Sequence, residues 1–207
     1  IELRRVGARL SASSMRVDPI SEPLIKGLAE SGNQTLTIAP EAGSVRMRKV
    51  INKPQADAQI LHAVELAAKY NFPQLKMYFM IGQPTETDED VEAIARMVLA
   101  ARQIFPRHIA INATPYVPKS HTAFQWAAML PVETLESRIR YLQERLNPNG
   151  VTVRSDSPAW AAVEGVLARG DRRLGRVLAR MQKVNLREWQ RALEAEGLSQ
   201  DEFLRER

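Results

Sequence analysis

Apolar residues fall along this chain in short blocks at two spacings, and the blocks alternate. The densest is Leu75 to Ile81, a near-continuous apolar segment of strand length, which predicts a parallel strand buried on both faces. Gly82 and Pro84 end it, and Thr87 with Asp90 three residues on predicts a capping box that opens a crossover helix over Val91 to Ile104. Upstream, Val6 to Arg16 predicts a strand, Asp18 to Pro23 a helix start running to about Glu30, and Gln34 to Ala39 a second strand. The loop Pro40 to Ser44 then places Glu41 at a strand's carboxyl end and Ser44 at a helix cap. A short helix Val45 to Ile51 follows. Gln55 or Asp57 opens a longer one, with Ile60, Leu61, Val64 and Ala67 at helical spacing.

Beyond the central block, His108 to Ala113 predicts a strand, Val132 to Leu146 a helix, and Val151 to Arg154 a last short strand. This repeated strand–helix order predicts an α/β fold with a parallel sheet, a partial (β/α) barrel of about four strands. In such sheets ligands meet the loops at the carboxyl ends of strands, which draws attention to Glu41 and to the Gly82-Gln83-Pro84 turn. The stretch Thr114 to Thr122 is too proline-rich for a helix and too long for a simple turn, and loops of this kind are either functional or loosely ordered. From Pro158 onward the pattern is helical, with starts at Ser157, Asp171, Asn185 and Ser199. The expected division is therefore 1–155 for the barrel part and 156–207 for a basic helical extension.

Composition narrows the function classes. The 207 residues suffice for a real core and carry a net charge of +5. There is no cysteine, so disulfides and thiolate metal sites are excluded, and His62, His108 and His121 show no metal-ligand spacing; no metal residue is expected. No run approaches the roughly 18 apolar residues that would cross a membrane, so the expected location is cytoplasmic. No Gly-rich phosphate loop is present. The chain begins at Ile1 rather than Met, which suggests a piece of something longer. Arg169 to Arg191 holds eight basic residues against two acidic ones, and Arg172, Arg173, Arg176 and Arg180 share one helical face. That face predicts either a solvated surface or a patch for a phosphate-bearing partner, including RNA.

Three motifs, in order, resemble the radical S-adenosylmethionine (SAM) enzymes. Thr37 to Ser44 resembles that family's fourth-strand motif and Val50 to Lys53 the sequence after it. Phe79 to Thr87 resembles the fifth-strand motif, and Asn112 to Pro118 with His121-Thr122 the sixth strand and its exit. The similar subgroup is the Fe-S oxidoreductases related to methylthiotransferases. The resemblance implies a half-barrel, strands three to six, of an enzyme that cleaves S-adenosylmethionine reductively to a 5′-deoxyadenosyl radical. It implies a 4Fe-4S cluster held by a CxxxCxxC loop in an upstream half of the same barrel, and an inactive fragment here. Residue by residue it implies that Glu41 bonds the cofactor's ribose or nearby polar groups and that Lys53 faces its carboxylate. Met80, Ile81 and Gly82 would flank the adenine, Tyr116 and Val117 would cover its other side, and Ser14 and Arg16 would be further contacts. The contrasting expectation is a cofactor-free βα binding module whose basic helices dock RNA or a protein.

Overall fold

The computed structural model describes residues 8–206. It divides into two compact units. The first comprises the described part of Ile1–Ile81 with Glu86–Thr114 and Arg138–Ser155; the second comprises Gly82–Thr85, Pro115–Ser137 and Asp156–Arg207.

A four-stranded sheet forms the centre of the first unit. Its strands are β1 (Thr35–Glu41), β2 (Gln74–Ile81), β3 (His108–Pro115) and β4 (Val151–Arg154), paired in chain order. β1 pairs with β2 and β3 with β4 in parallel, and the sheet is open. Helix α1 (Glu22–Glu30) precedes it, capped by the Ser21 hydroxyl. Two helices, α2 (Val45–Val50) and α3 (Asp57–Lys69), join β1 to β2; α4 (Asp88–Ile104) joins β2 to β3, and α5 (Val132–Leu146) joins β3 to β4. This is the α/β partial-barrel arrangement that the alternating pattern predicts. The expected first strand, Val6 to Arg16, is realised among the described residues only as a bridge: Met15 pairs in parallel with Ile38 on the free edge of β1. Val6 and Gly7 lie outside the described residues. From Ala8 to Ser14 only Leu10 is half-buried, and Ser11 to Ser14 are small and exposed, with no alternating apolar face to bury.

One correction bears on function. The apolar run of β2 predicts burial on both faces, yet burial alternates along it. Leu75, Met77, Phe79 and Ile81 are at most 1% exposed, whereas Gln74, Lys76, Tyr78 and Met80 are half-buried. Successive strand residues point to opposite faces. The face shared by Leu36, Ile38, Leu75, Met77, Ile109 and Ile111 is the apolar one, and α3 packs on β1 and against α1 and α4. The other face is polar.

The second unit is built on α6 (Pro158–Arg169), α7 (Leu174–Arg180), α8 (Leu186–Ala195) and α9 (Gln200–Leu204). Val166, Leu174, Val177, Trp189, Leu193 and Phe203 are the larger members of its core. The 156–207 extension shares that unit with Pro115–Ser137: the Met129 N–H donates to the Leu204 carbonyl at 2.9 Å, and the buried Arg169 guanidinium donates to the Ala127 and Arg205 carbonyls at 2.7 and 2.9 Å. Ser157, Asn185 and Ser199 cap their helices as the sequence predicts. Asp171 does not. The helix begins at Leu174, and the Asp171 carboxylate instead accepts from the Arg173 backbone and guanidinium.

Candidate cofactor-binding site

At the carboxyl end of β1 the ladder with β2 shifts register between Ile38 and Glu41, and Glu41 takes a positive φ of 68°. A non-glycine residue in that region is uncommon, and here it sits where the strand turns away from the sheet. The carboxylate so displayed is held by Lys53, whose Nζ donates to Glu41 Oε1 at 3.0 Å and to the Ala39 carbonyl at 2.6 Å. Both side chains are shielded but reachable, at 18% exposure for Lys53 and 27% for Glu41. The sequence points separately to these two residues; the structure makes them one ion pair.

Lys53 reaches Glu41 because Arg48 folds the intervening loop. Arg48 is fully buried and donates to the Ala42, Gly43 and Gln55 carbonyls at 3.1, 2.8 and 2.7 Å and to the Asp57 carboxylate. The Lys53 N–H donates back to the Arg48 carbonyl at 2.7 Å. One guanidinium thus ties the loop carrying Glu41 to the loop carrying Lys53. Sequence reasoning missed it, because an arginine two residues after Arg46 on a short amphipathic helix reads as solvent-facing. Gln55 was missed too: its side chain is buried at 2% exposure, with neither amide atom hydrogen-bonded.

A second set of contacts fixes the same loop to α4. Asp90 accepts from the Ser44 hydroxyl at 2.6 Å, from the Thr87 N–H at 2.8 Å and hydroxyl at 2.9 Å, and from the Arg46 guanidinium. Burial pushes the Asp90 carboxyl up, but these donors together outweigh it and hold the group well below the usual carboxylate range. Gly43 lets the loop lie on α4. A Cβ there would stand 2.2 Å from the Ile94 nitrogen and 2.6 Å from the Ala93 carbonyl carbon, so no larger residue fits without moving backbone.

The remaining sequence-derived residues differ in what they can offer. Met80 is half-buried on the polar face of β2. Ile81 faces the core at 0% exposure, so a ligand could meet its backbone and not its side chain. Ser14 and Arg16 are exposed on either side of Met15. In the second unit Gly82 has φ 87°, which disfavours any residue with a Cβ, and a Cβ there would also meet Leu135 Cδ2 at 2.6 Å. Tyr116 makes an edge contact with Phe124, 6.4 Å between ring centres, and burial raises its phenol above the ordinary value although Arg169 opposes this. Val117 is half-buried. Of the four arginines on the expected basic face, Arg173 pairs with Asp171 and Glu202, and Arg180 with Glu196; Arg172 and Arg176 are exposed.

Residues 2–98, which hold β1, β2 and the connections between them, match the model of the Radical SAM superfamily. That match covers just under half of the chain. An uncharacterized protein of Methanocaldococcus jannaschii is 35% identical over 177 residues, 84% of this chain and 38% of its own length. An uncharacterized methyltransferase of Pyrococcus horikoshii is 33% identical over 94 residues, 45% of this chain and 20% of its own. The chain thus spans well under half the length of either relative. Among solved structures, the Paramecium bursaria Chlorella virus arginine decarboxylase is similar with a TM-score of 0.32 and 10% identity, over 75% of this chain and 48% of that one.

The radical SAM match contains Ser14, Arg16, Glu41, Lys53, Met80, Ile81 and Gly82, and excludes Tyr116 and Val117. The match to this superfamily implies S-adenosylmethionine and a 4Fe-4S cluster. The residues present do not fit the cluster: the chain has no cysteine, and among the described residues no group of three or more His, Asp or Glu side chains is placed to hold a metal. They do fit a polar organic cofactor, with a part-shielded carboxylate–ammonium pair at a strand's carboxyl end and an orphaned buried amide in the loop that carries the lysine. No helix among the described residues is long and apolar enough to cross a membrane.

Proposed function

We propose that this chain supplies part of the S-adenosylmethionine-binding face of a radical SAM enzyme, with Glu41 as its principal polar contact and Lys53 holding that carboxylate in place. When bound with its cluster in the whole protein, S-adenosylmethionine supplies the 5′-deoxyadenosyl radical. This chain's residues bind and orient. The observation that carries the reading is the Glu41–Lys53 pair: a strained, part-exposed carboxylate is aimed off the end of β1 by a lysine that also braces the Ala39 carbonyl. Glu41 is an acceptor for cofactor hydroxyls, and Lys53 leaves donor capacity for a carboxylate. Each charge-assisted bond contributes roughly 1.5 to 3 kcal/mol when shielded from water. Met80 offers an apolar, polarizable surface beside them for an adenine ring.

Cluster ligation falls outside this chain's residues, and the fragment by itself is inactive on this reading. The name of the Pyrococcus horikoshii relative makes methyl transfer the first reaction to assay in the whole protein. Carboxylates of their own unit already engage Arg173 and Arg180 of the basic helices, which disfavours an RNA dock there. Equilibrium dialysis of radiolabelled S-adenosylmethionine against the whole protein tests the proposal. Glu41→Gln, shown to be folded by circular dichroism, weakens binding by tenfold or more, as loss of a shielded charged acceptor requires. Unchanged affinity in that variant contradicts the assignment.

A further inference from the structure

The polar face of the sheet carries a charge pattern that the cofactor site does not use. On β1 and β2, Thr37 and Lys76 are register partners and so share a face, with Tyr78 two residues on. On β3 and β4, Asn112 and Arg154 are register partners and share one too. These residues alternate with the buried Ile38, Met77, Ile111 and Val153, so all five lie opposite the apolar face. Apart from Glu41, which Lys53 holds, the four strands contain no aspartate or glutamate.

Among the described residues neither Lys76 nor Arg154 forms an ion pair. Lys76 Nζ instead lies over the Tyr78 ring, 5.0 Å from its centre. Asn112 Oδ1 is buried and has no hydrogen-bond partner. Lys76 is half-buried and Arg154 exposed, so both cations can meet a ligand; the buried, unmatched Asn112 acceptor is the group that is costly unless something complements it. The complement has a definite chemistry: negative charge for Lys76 and Arg154, and a donor for Asn112.

We propose that this face is a substrate subsite of the enzyme and that it takes an anionic small molecule, a carboxylate or a phosphate, that also presents an N–H or O–H group to Asn112. The proposal rests on the radical SAM reading, since it takes the polar face as the interior beside the cofactor. Arg154 supplies a planar fork for two anion oxygens, and Lys76 supplies a point charge that the Tyr78 ring holds along β2. Carboxylates supplied by the rest of the whole protein would complement the face equally well, and the experiment separates that case.

In the whole protein, 31P line broadening of inorganic phosphate is titrated for the wild type, Lys76→Gln, Arg154→Gln and the double variant, with malonate as competitor. The control is Lys26→Gln, an exposed residue of α1 outside the four strands. The expected result is saturable phosphate binding that each single substitution weakens about tenfold and the double abolishes, with the control unchanged. Displacement by malonate at lower concentration than phosphate identifies the carboxylate as the source; the reverse identifies phosphate. Saturable binding that survives the double substitution overturns the proposal, as does absence of saturable binding by either anion, the result expected if protein carboxylates fill the face. S-adenosylmethionine affinity measured on the same variants keeps the two readings apart. It is unchanged by Lys76→Gln and Arg154→Gln on this account, whereas phosphate binding persists in Glu41→Gln.

Discussion

Asp90 and Arg48 show how single buried charges set the geometry of the Glu41 loop. Asp90 gathers four donors from Ser44, Arg46 and Thr87, so its carboxyl titrates well below that of an unfolded chain, near 3.8. A depressed folded-state value adds stability that is fully present above the unfolded value and is lost as pH falls, because the unfolded chain takes up the proton first. Urea midpoints measured between pH 5 and pH 2.5 therefore decline less steeply in Asp90→Asn than in the wild type, while at pH 7 the variant is less stable by about 2 kcal/mol. Arg48 is the stronger constraint. Its replacement by Met leaves the Ala42, Gly43 and Gln55 carbonyls and Asp57 without their donor. Breaking such a buried charged set costs about 3–5 kcal/mol, read as the shift in urea midpoint, and loosens the Lys53 loop. Glu41 and Lys53 were legible as residues from their motifs. Arg48 was not, because nothing in a local pattern separates a buried arginine that bonds three carbonyls from one in solvent.

Among the elements, agreement between sequence and structure follows the strength of local signals. Helix starts with a side-chain acceptor were legible: Ser157, Asn185 and Ser199 each accept from a backbone N–H of the first turn. Asp171 carries the same signal, but Arg173 two residues on takes its carboxylate, and the helix starts later. Asn185→Ala thus costs about 1 kcal/mol, measured by thermal unfolding, and Asp171→Ala costs less despite the similar cap signature. The faces of β2 were less legible. A run of Met, Tyr, Phe, Met and Ile reads as apolar throughout, and only the sheet's one-sided helical layer shows which half is buried. Gly43 belongs at this scale, as the point where the β1–α2 loop touches the α4 backbone. Gly43→Ala forces the loop off α4 and lowers stability by at least about 2 kcal/mol, again read from urea unfolding.

Taken whole, the chain has the open α/β sheet expected of part of a barrel, its apolar face under helices and its polar face half-buried. The second unit draws on segments far apart in sequence, which a boundary at residue 155 could not reveal, since long-range pairings such as Met129 with Leu204 leave no local trace. The chain spans 38% and 20% of the lengths of the relatives it matches at 35% and 33% identity. The central claim is that Glu41 and Lys53 act together on S-adenosylmethionine. A double-mutant cycle on the whole protein tests it most directly: cofactor dissociation constants for the wild type, Glu41→Gln, Lys53→Gln and the double variant. The account predicts that each single change weakens binding at least tenfold and that the double is little worse than either, because each residue works through the other. Four equal dissociation constants would contradict it.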